Sequence, residues 1–229
     1  MDWFRAVNSY CERSDPGFWA EPLNAVTNGA FLLAAWASWR LARRHGDRGA
    51  QLLALVLAAI GVGSFLFHTF AQVWAMLADV LPIQIFILVY LYAATVRFFA
   101  APRWLGLAAA AAFVPISAGV AAAAAFVPAS AGLSALVVAA VGPLNGSAGY
   151  LPVPLLIALY AGLLRRRSPE AARGLLVGAA MLVVSLAFRT IDEAVCPGFP
   201  VGTHFLWHLL NAVMLGWMIR VLVLASKPA

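Results

Sequence analysis

Two histidines stand four apart near the C-terminal end, in the run Gly202-Thr203-His204-Phe205-Leu206-Trp207-His208-Leu209-Leu210-Asn211. On a helix such residues share one face, a turn apart, so both imidazoles can reach a single metal ion. An ionisable pair in an otherwise apolar helix is costly, which points to a function. A third histidine, His68, lies in Gly63-Ser64-Phe65-Leu66-Phe67-His68-Thr69, with Ser64 one turn earlier on the same face. Asp79 follows in Ala78-Asp79-Val80-Leu81-Pro82. Three protein nitrogens plus an open position for water is the pattern of a catalytic zinc site, whereas structural zinc sites are closed by four ligands and often use cysteine. An aspartate nearby can orient or deprotonate the water. Each residue also has a plain structural reading. The histidines could be hydrogen-bonded core residues, Asp79 a helix cap, and Ser64 a back-bond to its own helix. His45, in a basic loop, reads as solvated. Taken together, the set favours metal.

The elements that must position these residues are membrane helices. The chain is 64% hydrophobic and 10% charged, against about 25% charged in average usage, and its mean hydropathy is +0.90. The formal charge of +6 sits in short clusters between apolar runs, as membrane topology demands, and implies no nucleic acid. Residues 1–21 are polar and acidic, unlike a cleavable signal. A bilayer span takes about 20 mostly apolar residues. Seven such runs are expected, at about 23–41, 51–70, 74–99, 104–127, 150–164, 174–188 and 203–224. The short apolar stretch within 128–149 is ambiguous, and charge decides it. With seven spans, one side carries Arg40, Arg43, Arg44, Arg48, Arg97, Arg103, Arg165, Arg166, Arg167, Arg173, Arg220 and Lys227, and the other only Arg5, Arg13 and Arg189. That is a strong positive-inside bias; an eighth span would throw Arg165–Arg167 outside. The reading is therefore an all-α polytopic protein: one seven-helix domain over 1–229, N-terminus outside and C-terminus cytoplasmic. Residues 1–21 form an outer segment and 128–149 an uncharged outer loop. The arginines alone set this topology, yet His68, His204, His208, Asp79 and Ser64 all fall near the outer face.

A second acidic cluster lies in the N-terminal segment. Glu12, Asp15 and Glu21, with carbonyls around Pro16 and Gly17, offer hard oxygen ligands of the kind calcium takes; a solvated loop capping the first helix is the alternative, and Glu21 before Pro22 suits a helix start. Cys11 and Cys196 both fall outside. They could form a disulfide in an oxidising compartment or remain two free thiols.

These motifs resemble one family along nearly the whole chain. Tyr10-Cys11-Glu12, Ala20-Glu21 with Asn24 and Asn28, Gly63-Ser64 with His68, Asp79 with Pro82, and His204 with Trp207 and His208 are similar in order and spacing to the alkaline ceramidases. These are seven-helix membrane amidohydrolases related to adiponectin-receptor-like proteins. The resemblance implies zinc on His68, His204 and His208, with Ser64 and Asp79 beside it as catalytic residues. It implies a Cys11–Cys196 disulfide. It also implies calcium, with Glu12, Glu21 and the Tyr10 carbonyl as ligands. Here the sequence departs: Ser9 and Ser14 stand where the family has aspartate and asparagine, the stretch between the glutamates is shorter, and Asp15 is the carboxylate left to compensate. The expected function is hydrolysis of a ceramide-like membrane lipid to a long-chain base and a fatty acid, with water entering from the non-cytoplasmic side. A non-catalytic receptor or scaffold with structural zinc is the alternative. A retinal protein is excluded, because the sole lysine is Lys227 in the tail. The repeated halves of a transporter are not evident.

Overall fold

Proline at the first helical position forfeits no hydrogen bond, because the N–H there has no partner within the helix. Among the described residues three helices begin this way, at Pro22, Pro152 and Pro169. The computed structural model describes residues 2–126 and 144–225, the side chains of 120–126 excepted. Among these it is helical and without strands, apart from an isolated antiparallel bridge between Ala6 and Gln72. The helices are α1 (Pro22–Thr27), α2 (Gly29–Arg44), α3 (Arg48–Phe70), α4 (Val73–Phe99), α5 (Arg103–Phe126), α6 (Pro152–Leu164), α7 (Pro169–Val195) and α8 (His204–Ala225). Two 3-10 turns, Leu144–Gly146 and Ala148–Tyr150, precede α6. Asn28 joins α1 to α2 while keeping a right-handed helical backbone (φ -64°, ψ -19°), so the two run on as one interrupted rod.

Helices adjacent in sequence pack against one another from α2 to α8, and α8 returns to α2, closing a ring. α3 and α8 also meet across it. Among the described residues four helices, α3, α4, α7 and α8, are long and apolar enough to cross a membrane. Outside the ring, Leu33 of α2, Leu155 of α6 and Val213 of α8 are 70%, 71% and 59% exposed. Aliphatic side chains displayed on this scale suit lipid as solvent. The protein is a membrane protein.

The expected spans coincide with helices to within a few residues, except that the run at 174–188 lies inside the longer α7. Residues 128–143 of the proposed outer loop lie outside the described residues.

The N-terminal segment is laced to the α3–α4 turn. Val7 N donates to Ala71 O (2.8 Å), and Val73 N and Trp74 N donate to the carbonyls of Arg5 (3.2 Å) and Trp3 (3.1 Å). This seating carries Tyr10 over the ends of α3 and α8, where it is 9% exposed.

Candidate metal centre and active site

The i, i+4 spacing does what helical geometry requires. α3 presents Ser64 and His68 from its last two turns, and α8 presents His204 and His208 from its first two. One ring nitrogen of each histidine lies within 4.8 Å of the others; among the described residues this is the one such group of three His, Cys, Asp or Glu side chains. All three histidines are buried, at 1–2% exposure. His68 Nε2, His204 Nδ1 and His208 Nε2 have no hydrogen-bond partner. Three converging, buried and unpartnered nitrogens would be expensive in a finished core; they fit a divalent metal ion.

The opposite edges of two rings are held. Glu21 Oε2 accepts from His68 Nδ1 at 2.6 Å, and Thr27 Oγ1 lies 3.0 Å from His208 Nδ1. Thr27 Oγ1 is also within reach of the carbonyls of Leu23 and Asn24 (2.8 and 3.1 Å), to which its hydroxyl donates. Its oxygen is thereby left to accept from the imidazole. Such partners fix a ligand's tautomer and orientation. Burial pushes the Glu21 carboxyl up, but hydrogen bonds from His68 and Arg13 prevail and hold it below the usual carboxylate range. The third ring, His204, is stacked on Tyr10 with centroids 3.6 Å apart and planes at 22°. Its backbone is held by Asp192 of α7: Oδ1 accepts from Thr203 N (2.7 Å) and His204 N (2.9 Å), and Oδ2 from Cys11 N (3.0 Å).

Asp79 enters from α4. α3 and α4 approach so closely that a methyl on Gly63 would overlap the Ala78 carbonyl, and this contact sets Ser64 beside Asp79. A cavity of about 190 Å³ opens beside them, lined by Asp79, His204, Tyr10, Tyr150, Trp207 and Arg189. Arg189 donates to Asn145 O (2.7 Å) and to Tyr10 Oη (3.3 Å) and lies against the Tyr150 and Trp207 rings.

The ceramidase family model matches residues 9–226, nearly the whole chain. The chain belongs to the ceramidase family. Among curated proteins no relative matches it. As a ceramidase it is a hydrolase of linear-amide C–N bonds.

Within this ceramidase the structure joins Cys11 to Cys196 in a disulfide, with Cα atoms 5.5 Å apart. The residues expected to hold calcium are differently engaged. Glu12 caps α1, its two oxygens accepting from Leu23 N and Asn24 N at 2.8 Å each. Asp15 Oδ1 accepts from Gly17 N, Ser14 and Asp15 face solvent, and the Tyr10 carbonyl accepts from Arg13 N within a turn. Glu21 is bound to Arg13 and His68. These residues do not fit a divalent cation. Arg13, Thr27, Asp192 and Arg189 were not legible as parts of the site. In sequence the arginines are topological charges, Thr27 is one hydroxyl in an apolar run, and Asp192 lies beyond the end of its span.

Proposed function

We propose that this ceramidase is a zinc-dependent lipid amidase, converting a ceramide-like membrane lipid and water to a long-chain base and a fatty acid. The observation that carries the reading is the convergence of the unpartnered nitrogens of His68, His204 and His208 beside Asp79. Three nitrogens and an open position suit zinc. A zinc ion bound there supplies a Lewis acid that makes water acidic near neutral pH.

The chain's own residues do the rest. Asp79 takes a proton from the water that adds to the amide carbonyl carbon. As the C–N bond breaks, it returns that proton to the leaving nitrogen, so the amine departs neutral. The Ser64 hydroxyl donates to the carbonyl oxygen as that oxygen gains charge. Glu21 and Thr27 hold two of the rings in register, and Tyr10 and Trp207 line the cavity.

The substrate class follows from what adjoins the site. The cavity shares Ile83, Tyr150 and Trp207 with a second of about 30 Å³. That one shares Phe86, Ile87, Val153, Met214 and Leu215 with a third of about 60 Å³, lined by aliphatic and aromatic side chains between α4, α6 and α8. The series runs from polar to apolar, which suits an amide whose hydrocarbon chain stays inside the ring. The charge asymmetry of the loops supports seven spans with this end of the bundle on the non-cytoplasmic side. The test is amide hydrolysis by purified protein. Wild type should release fatty acid from a ceramide, His204→Ala and Asp79→Asn should not, and turnover unchanged in both variants would sink the mechanism.

A further inference from the structure

We infer that the Arg13 guanidinium takes the place of a divalent cation in the N-terminal segment and positions His68, so that the enzyme works without calcium. Arg13 is 8% exposed and enclosed by oxygen. Its Nε donates to Glu21 Oε1 (2.5 Å), its Nη1 to the carbonyls of Asp15 (3.2 Å) and Gly17 (3.4 Å), and its Nη2 to the His68 carbonyl (3.0 Å). One carboxylate and three carbonyls are hard oxygen donors of the type that would surround calcium. Here a planar fork of N–H donors satisfies them.

A calcium ion has no room in this arrangement. It would have to displace a buried guanidinium or sit beside it, charge against charge. The donors it would need are spent on hydrogen bonds within the segment. Of the other polar side chains there, Ser14 faces solvent and Ser9 lines the cavity beside Asp79.

The same guanidinium grips His68 twice. Nη2 holds its carbonyl in the last turn of α3, where carbonyls lack intrahelical partners and a cation is favourable. Nε holds Glu21, whose other oxygen takes the His68 Nδ1 proton. Main chain and ring of one metal ligand are thus tied to one cation. Arg13 acts through Glu21 and touches no reacting atom, so it is a positioning residue.

This inference rests on the metal reading of the three histidines, and the experiment separates the two. Protein purified without calcium is titrated with calcium chloride, following radiolabelled calcium retention, the unfolding midpoint and amide hydrolysis. Zinc affinity is measured in parallel by competition with a chromophoric chelator, for wild type, Arg13→Ala and Arg13→Lys. Wild type should retain no calcium and shift its midpoint by less than about 1 °C, as expected when nothing binds the folded state. Arg13→Ala should bind zinc at least roughly tenfold more weakly, the usual effect of losing a ligand's supporting partner. Free guanidinium, but not sodium at equal concentration, should restore that affinity. Arg13→Lys keeps the charge without the fork and should fall between. Saturable calcium binding that stabilises or activates wild type would overturn the replacement. An Arg13→Ala protein of lower midpoint but unchanged zinc affinity, or an Arg13→Lys protein equal to wild type, would overturn the positioning role. A wild type that binds no zinc would overturn the proposed function and the positioning role with it, while the calcium titration would still decide the replacement. Should Arg13→Ala not fold, Arg13→Lys and the wild-type titration decide the matter.

Discussion

Asp192 supports the proposed metal centre without facing the cavity, which makes it a clean test of how the site is built. Its side chain is fully buried and accepts three backbone N–H groups: Thr203, His204 and Cys11. Two of these belong to the entry of α8, where the first N–H groups lack intrahelical partners and a negative charge is favoured. Asp192→Ala orphans all three donors. Each buried unsatisfied group costs about 1–3 kcal/mol, so the loss should be about 4 kcal/mol once partial relaxation is allowed. For a chain of this size, roughly 2–4 °C of midpoint accompany each kcal/mol, giving a drop of about 8–16 °C. Asp192→Asn keeps one acceptor oxygen but turns an NH₂ toward a backbone donor; about 2 kcal/mol, or roughly 4–8 °C, should be lost. The assay is thermal unfolding of detergent-solubilised protein with the disulfide intact. Zinc affinity should fall in the same order, since His204 is the first residue of α8. An Asp192→Ala midpoint within about 1 °C of wild type would refute the idea that this carboxylate anchors α8.

Other perturbations follow from the same contacts. Thr27→Val keeps the shape but removes the acceptor beside His208 Nδ1. Zinc affinity should fall about 10–100-fold with little change in midpoint, as read by chelator competition. Gly63→Ala drives a methyl into the Ala78 carbonyl and parts Ser64 from Asp79. Stability should drop by about 1–3 kcal/mol and turnover by about 100-fold, since misplacement of order 1 Å has that effect. Asp47 caps α3 through Ala50 N and pairs with both terminal nitrogens of Arg97 at 2.6 Å. Burial raises its carboxyl, but Arg97 and the cap outweigh this and hold it below the ordinary value. A depressed carboxylate stabilises fully above its unfolded pKa of about 3.9 and loses the contribution as pH falls through the folded value. The midpoint gap between wild type and Asp47→Asn should therefore be constant from neutral pH down to about 5 and close below about 4. A gap that does not narrow in acid would contradict the pairing.

The helices were legible because lipid enforces long apolar runs, and the three histidines because polar groups in such runs stand out. Helical period then put Ser64 with His68 and His204 with His208. The run ending at Phe188 understated α7, since Arg189 and Asp192 end the apolar stretch without ending the helix; both are satisfied by distant partners, Asn145 and Tyr10 for one and the α8 entry for the other. In sequence Glu12 and Glu21 read as calcium ligands, with a loop capping the first helix as the alternative, and neither reading shows their division of labour. Glu12 caps α1, while Glu21 sits at the N-cap position without a capping bond and turns to His68. Arg13 shows why: one buried cation reassigns every oxygen around it, and no spacing rule records where a long side chain will end.

The central claim is that three histidines hold a catalytic zinc ion. The most direct measurement is elemental analysis of protein purified without chelator, wild type beside His68→Ala, with amide hydrolysis measured on the same samples. About one zinc per chain in wild type, as a three-histidine site requires, with metal and turnover both lost in His68→Ala, is the expected result. A metal-free wild type that still cleaves a lipid amide would contradict it.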